Sequence, residues 1–113
     1  MDAQVTGKNY LHVGFSTGGG LTQVLAPASN TNGAYVRTLN IGANSAGSVL
    51  LYATATTPSA NIDYTKPVVF YGGAVVNGAV TTMPFPLYIP AGLGLWIGAN
   101  TNSDSLITYD IVS

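Results

Sequence analysis

The chain has 113 residues, no cysteine, a formal net charge of −1 and only 6% charged residues. Its length fits a single domain, the lack of cysteine excludes a disulfide framework and a cysteine-based metal site, and its short, interrupted apolar runs exclude a membrane-spanning helix. Neither a membrane nor nucleic acid is an expected partner, because binding phosphates requires clustered Lys and Arg. We also expect no signal peptide, since the N-terminus, MDAQVTGKNY, lacks a basic start followed by an apolar run.

The low charge has two interpretations. Typical soluble domains contain about 25% charged residues, and free monomers usually keep enough charge to stay soluble. The chain is therefore either a neutral β-protein rich in Thr and Asn, or a subunit whose surface is largely covered in an assembly. Composition alone leaves both open.

Turn-forming residues recur every few positions, and the gaps between them are filled by Val, Ile, Tyr and Thr, which predicts short strands. In the first predicted strand, Leu11, Val13 and Phe15 share the buried face. The imperfect alternation around Arg37 predicts a bulge in the third strand. The run 48–54 is apolar on both parities, so we expect it to be covered on both sides, with a neighbouring subunit as the second cover. The predicted strands of this half are 9–15, 21–26, 34–41 and 48–54.

In the second half, we predict a bulge or bend at Gly72-Gly73 and a two-residue hairpin turn at Asn77-Gly78. Three prolines at 84, 86 and 90 share one parity and remove three backbone donors from one side, which predicts an edge strand with a single partner. The predicted strands of this half are 67–76, 79–83, 85–89, 93–99 and 106–112.

About eight short strands in one small domain predict an all-β fold. We expect a single antiparallel β-sandwich, jelly-roll-like, that spans residues 1–113. Residues 1–8 precede the first strand and are expected to form an extended N-terminal arm.

The residue types that carry catalysis are scarce. His12 is the only His, it has no nucleophile motif beside it, and the Asp residues are scattered, so we expect no enzyme activity. No cofactor is expected, and one His with scattered Asp does not suit zinc. Asn100, Asn102 and Asp104 resemble the start of a calcium loop but lack its closing Glu. A turn whose side chains bond their own backbone is the favoured interpretation.

Trp96 stands between two glycines, on the parity opposite Leu95. Its ring could fill a groove under a loop or anchor a subunit contact, since Trp is enriched in interface hot spots. It could also be a stacking platform for a sugar.

The segment 89–95, IPAGLGL, is followed by an Asn/Ser/Asp turn at 100–104 and by Tyr109 in a final strand. This order resembles small jelly-roll structural proteins of tailed bacteriophages, which include capsid decoration (cement) proteins and head or tail fibre domains. The resemblance covers roughly the last third of the chain. The family transfers no catalytic residues.

The resemblance implies a virion structural protein, made in the host cytoplasm, that binds the capsid exterior and stabilises it by protein–protein contacts. Its expected partners are the major capsid protein and copies of itself, as a trimer. The length, with no fibre-like coiled coil, favours decoration over a fibre tip. The alternative is a carbohydrate- or receptor-binding sandwich module of a phage fibre, with a glycan as partner. The residues expected at an interface are Asp2, Gln4, Val5, Lys8, Tyr10, Tyr88 and Trp96.

Overall fold

The computed structural model describes residues 5–74 and 79–113, and within these ranges the chain forms nine strands in two packed antiparallel sheets. The predicted all-β sandwich is confirmed. A single 3-10 turn at Pro27–Ser29 is the only helical element among the described residues. Within the same residues, no helix is long and apolar enough to cross a membrane. The strands are β1 (Asn9–Phe15), β2 (Gly20–Leu25), β3 (Ala34–Ala43), β4 (Gly47–Thr54), β5 (Val68–Ala74), β6 (Ala79–Thr82), β7 (Leu87–Ile89), β8 (Gly94–Ala99) and β9 (Ser103–Ile111).

The strand order is that of a jelly roll. One sheet has the order β1-β9-β3-β6, with β7 also paired to β3, and the other has the order β2-β8-β4-β5. The chain crosses between the sheets at every connection except β4 to β5 and β6 to β7, so β1 packs near β2, β3 near β4 and β5 near β6. Because β6 and β7 follow each other along the same side of β3, they act as one strand interrupted at 83–86. The sequence predicts the same interruption, since 79–83 and 85–89 are separate predicted strands.

The core between the sheets follows the period-2 alternation of the strands. In β1, Val13 is buried while Leu11 and Phe15 pack against the core, as predicted. Trp96 is excluded from this core because it lies on the other face of β8. The fully buried centre comes from both sheets and includes Leu39, Ile107, Leu51, Leu95 and Ile97.

The bulge predicted in β3 is confirmed, because the pairing with β9 slips by one residue between Val36 and Thr38. The irregularity predicted at Gly72-Gly73 is wrong: both glycines pair regularly with β4, and the slip in β5 lies at Val69. Gly72 instead allows close packing of the two sheets, since a Cβ there would lie 2.9 Å from Cδ1 of Ile41. The predicted Asn77-Gly78 turn lies outside the described residues.

The proline-rich segment forms an edge, as predicted. Among the described strands, β7 pairs only with β3. The chain then turns at Gly92, whose φ of +86° is a conformation that glycine adopts at little cost, and enters β8.

The second face of β4 is covered by the chain itself, so the expectation that a neighbouring subunit covers it is wrong. Loop 55–67 folds back over the four-stranded sheet, where Leu50, Tyr52 and Trp96 form a second buried cluster with Ile62. The Tyr52 hydroxyl fixes the loop by donating to the carbonyl of Asn61 at 2.9 Å and accepting from the backbone N–H of Asp63 at 2.7 Å. Burial raises the pKa of Tyr52.

Candidate functional site

Within residues 5–74 and 79–113, no loop covers the outer surface of the five-stranded sheet in this way. We call this surface the open face, and it consists of the outward side chains of β1, β9, β3, β6 and β7. Residues directly opposite in antiparallel strands point to the same side, so the register places His12, Leu106, Asn40 and Thr82 in one row across the sheet. The exposed large apolar residues of the open face are Tyr10, Tyr35, Val80, Tyr88 and Leu106.

The charges on the open face are largely paired with one another. Arg37 Nε donates to Oδ2 of Asp110 at 2.9 Å, and His12 Nε2 lies 2.8 Å from Oδ1 of Asp104. The pKa of Asp110 is lowered by the backbone N–H of Lys8 and then by Arg37. The pKa of Asp104 is lowered by its hydrogen bond with His12. The face is therefore polar in places but carries little net charge.

At one end of the open face, three side chains pack against one another in a row. The rings of Tyr35 and Tyr88 are 5.1 Å apart between centroids and tilted by 57°. Cζ of Arg37 lies 4.6 Å from the centroid of the Tyr35 ring, a cation–π distance. Tyr88 packs over Gly33, whose φ is +103°. A Cβ at Gly33 would collide with the Tyr88 ring, so only glycine fits at this position. Tyr88, predicted at an interface, is thus 53% exposed but held in place.

The N-terminal segment is attached to its own sheet where the structure describes it. The backbone N–H of Gly7 donates to Oγ1 of Thr108 at 3.0 Å, and that of Lys8 donates to Oδ1 of Asp110 at 2.8 Å. Gly7 lies directly on β9, since a Cβ there would be 2.5 Å from the backbone nitrogen of Tyr109. The side chains of Val5 and Lys8 are exposed.

Two of the other residues predicted at an interface, Asp2 and Gln4, lie outside the described residues. Tyr10 is 63% exposed on the open face, in keeping with a surface role. Trp96 is only 3% exposed, in the cluster beneath loop 55–67. Of its three interpretations, packing under a loop is the one that the structure supports, so the choice of Trp96 as an accessible interface residue was wrong.

Three loops meet at one end of the sandwich: 16–19, 44–46 and 100–102. We call this end the three-loop end. The backbone N–H of Gly18 donates to Oδ1 of Asn102 at 2.6 Å, and that of Asn44 donates to the carbonyl of Asn102 at 2.8 Å. Oδ1 of Asn100 accepts from the backbone N–H of Ser48 at 2.7 Å. Asn100 and Asn102 therefore bond neighbouring segments, and the expectation that they bond their own backbone was wrong.

A depression of about 360 Å³ lies at the three-loop end. It is lined by Gly14, Phe15, Ser16, Asn44, Asn102 and Asp104. Nδ2 of Asn44 lies 3.5 Å from Oδ2 of Asp104, at the long limit of hydrogen bonding. The ranges 5–74 and 79–113 contain no group of three His, Cys, Asp or Glu residues that could hold a metal ion.

Asp63 does not line the depression at the three-loop end. Its carboxylate is almost buried and accepts from the hydroxyls and backbone N–H groups of Thr65 and Ser59, which shape loop 55–67. The Thr65 hydroxyl is the largest cause of its strongly lowered pKa, followed by the Ser59 backbone. Asp63 is thus a structural residue of the loop that covers Trp96.

Sequence reasoning missed the pairing of His12 with Asp104. The two residues are 92 positions apart and meet only because β1 pairs with β9. No local pattern reports that register. Comparisons with protein-family models, with curated proteins and with solved structures found no match to this chain.

Proposed function

We propose that this chain is a virion structural protein, a capsid decoration protein whose open face binds the exterior of the shell and stabilises it by protein–protein contacts. One observation carries the proposal. Loop 55–67 covers Leu50, Tyr52 and Trp96 on the outer face of the four-stranded sheet, whereas the open face leaves Tyr10, Val80 and Leu106 exposed on three of its strands. Apolar surface gathered on one side of a domain is typical of an interaction site.

The charges of the open face suit burial against another protein. Removing an unpaired charge from water costs several kcal/mol, but Arg37 and Asp110 already neutralise each other, and the Asp104 carboxylate has a hydrogen bond with His12. The rows between them carry Thr, Asn, Tyr and Leu side chains. A partner therefore needs no matching charges to cover this face.

The size of the open face favours a lattice over a tight pair. With strand spacing near 4.8 Å and a rise near 3.4 Å per residue, four strands of about seven residues cover about 500 Å². A stable interface buries about 800 Å² of accessible surface on each partner, and side chains give a face more accessible surface than its flat area, so the open face is at the small end of this class. A weak contact of this size becomes effective when many copies bind one shell, because multivalency multiplies pairwise affinity. We propose a trimer as the bound form, which light scattering of the purified chain tests directly.

Cosedimentation with purified capsids of the phage that encodes the chain tests the proposal. The double variant Tyr10→Ser, Leu106→Ser removes apolar contacts from the open face, and we expect its affinity to fall at least tenfold, or about 1.4 kcal/mol. Tyr64→Ser is the matched control, since Tyr64 is equally exposed on loop 55–67, and it should bind like the wild type. Capsids that fail to retain the wild-type chain would refute the proposal.

The alternative of a carbohydrate-binding module built on Trp96 loses its platform, because the ring is buried beneath loop 55–67. Any sugar site in this chain must use other residues.

A further inference from the structure

We propose that the depression at the three-loop end binds a neutral saccharide. The site does not use Trp96. It adjoins the open face, with which it shares Gly14 and Asp104, but it needs a small ligand and the proposed capsid contact does not. Loops at the end of a rigid sandwich are a common place for binding residues.

The polar groups of the depression are held in place before any ligand arrives. Asn102 is fixed twice, because its side-chain oxygen accepts from Gly18 and its backbone carbonyl accepts from Asn44. The hydroxyls of Ser45 and Thr101 bond each other, and Oγ1 of Thr101 also bonds the Ser45 carbonyl at 2.9 Å, which ties the second loop to the third. Such a site loses little entropy on binding.

The same groups keep hydrogen-bonding capacity for a ligand. Since the oxygen of Asn102 faces Gly18, its amide NH2 is the end with no partner among the described residues. The contact between Asn44 and Asp104 is long, at 3.5 Å, and the Asp104 side chain is 55% exposed. An amide donor, a carboxylate acceptor and a second amide within one depression suit adjacent hydroxyls, each of which donates and accepts.

The charge of the depression excludes other classes of ligand. Of the described residues, those that line it include no Lys or Arg and one carboxylate, that of Asp104, so an anionic ligand would be repelled. A single carboxylate with carboxamides also falls short of the ligand set that calcium requires. A neutral, hydroxyl-rich compound is the class that remains favourable.

The shape fits a small ring. The volume of about 360 Å³ is at the lower end of small-molecule sites. Gly14 keeps the depression open, because a Cβ there would lie 3.1 Å from Oδ1 of Asp104 and 3.3 Å from the His12 ring. Phe15 adds an apolar wall for the C–H groups of a sugar ring.

NMR titration of the labelled full chain with glucose, galactose, mannose and N-acetylglucosamine, beside an array of neutral and anionic glycans, tests this site. We expect saturable shifts at Gly14, Asn44 and Asn102 with a millimolar Kd. Asn44→Ala and Asp104→Asn should each weaken binding by about tenfold. Asn40→Ala is the matched control, because Asn40 is exposed on the same sheet away from the depression, and its Kd should equal that of the wild type.

Three results would overturn the proposal: no saturable shift with any neutral sugar up to about 100 mM, binding restricted to anionic glycans, or an affinity equal to that of the wild type in both site variants. Each can occur whether or not the chain binds capsids, so the two proposals fail separately.

Discussion

At the scale of single residues, the Asp63 carboxylate makes the stability of the fold depend on pH. Its folded pKa is strongly lowered by hydrogen bonds from Thr65 and Ser59, below the unfolded value of 3.8. A group of this kind stabilises the fold above its unfolded pKa, and the contribution is lost as the pH falls through the folded pKa. We expect the free energy of unfolding to decrease below about pH 4, with a contribution of up to one proton per molecule from Asp63.

Urea denaturation between pH 6 and pH 2 measures this effect. Asp63→Asn should be less stable than the wild type at pH 6, because its NH2 group faces N–H and O–H donors, and the two proteins should converge as the pH falls. Asp104→Asn is the comparison, since its carboxylate is more than half exposed and solvent screening leaves a smaller effect. A constant difference between Asp63→Asn and wild type across the pH range would contradict this role.

Tyr52 is the second residue on which loop 55–67 depends, because its hydroxyl bonds two backbone groups of the loop. Tyr52→Phe leaves the backbone N–H of Asp63 and the carbonyl of Asn61 without their partner. We expect a loss of about 1–3 kcal/mol in the free energy of unfolding, measured by urea denaturation. The control Tyr71→Phe removes an exposed hydroxyl bonded to Ser48 and should cost less than about 0.5 kcal/mol. Equal costs for the two variants would show that the loop does not need this hydroxyl.

At the scale of elements, the N-terminal segment depends on the absence of a side chain at Gly7. Gly7→Ala would place a Cβ 2.5 Å from the backbone nitrogen of Tyr109. We expect the segment to detach, with a loss of about 1–3 kcal/mol, and the amides of Gly7 and Lys8 to lose protection from hydrogen exchange. Thr6→Ala is the control and should keep both amides protected. Unchanged protection in Gly7→Ala would mean that the segment adapts.

The elements also show what sequence can predict. The bounds of β1, the bulge beside Arg37 and the proline edge were predictable because each depends on local alternation or on a missing backbone donor. The cover of β4 was not, since it depends on Tyr52 reaching residues 61–63 in a loop that looks merely polar. The depression was not predictable either, because Gly14, Asn44 and Asp104 meet only once β1, β9 and β3 have paired with one another.

At the scale of the whole molecule, the two sheets differ in what they expose, and this difference predicts how the proposed binding to capsids responds to salt. The open face has internally paired charges and exposed Tyr, Val and Leu side chains, so its binding should depend on apolar burial. We expect affinity for capsids to change less than about threefold between low and high NaCl, since screening acts on unpaired charges. Sulfate should strengthen binding, because it favours the burial of apolar surface.

A charge placed on the open face separates apolar burial from electrostatic attraction. Leu106→Lys puts an ammonium group in the middle row of the sheet, where the nearby Asp104 carboxylate, two residues away on the same face, is already bonded to His12. Burying that charge without a partner costs several kcal/mol, so this variant should bind capsids more weakly than Leu106→Ser. If instead Leu106→Lys binds more tightly and high NaCl abolishes the gain, the shell is recognised by its negative charge and not through apolar contact with the open face.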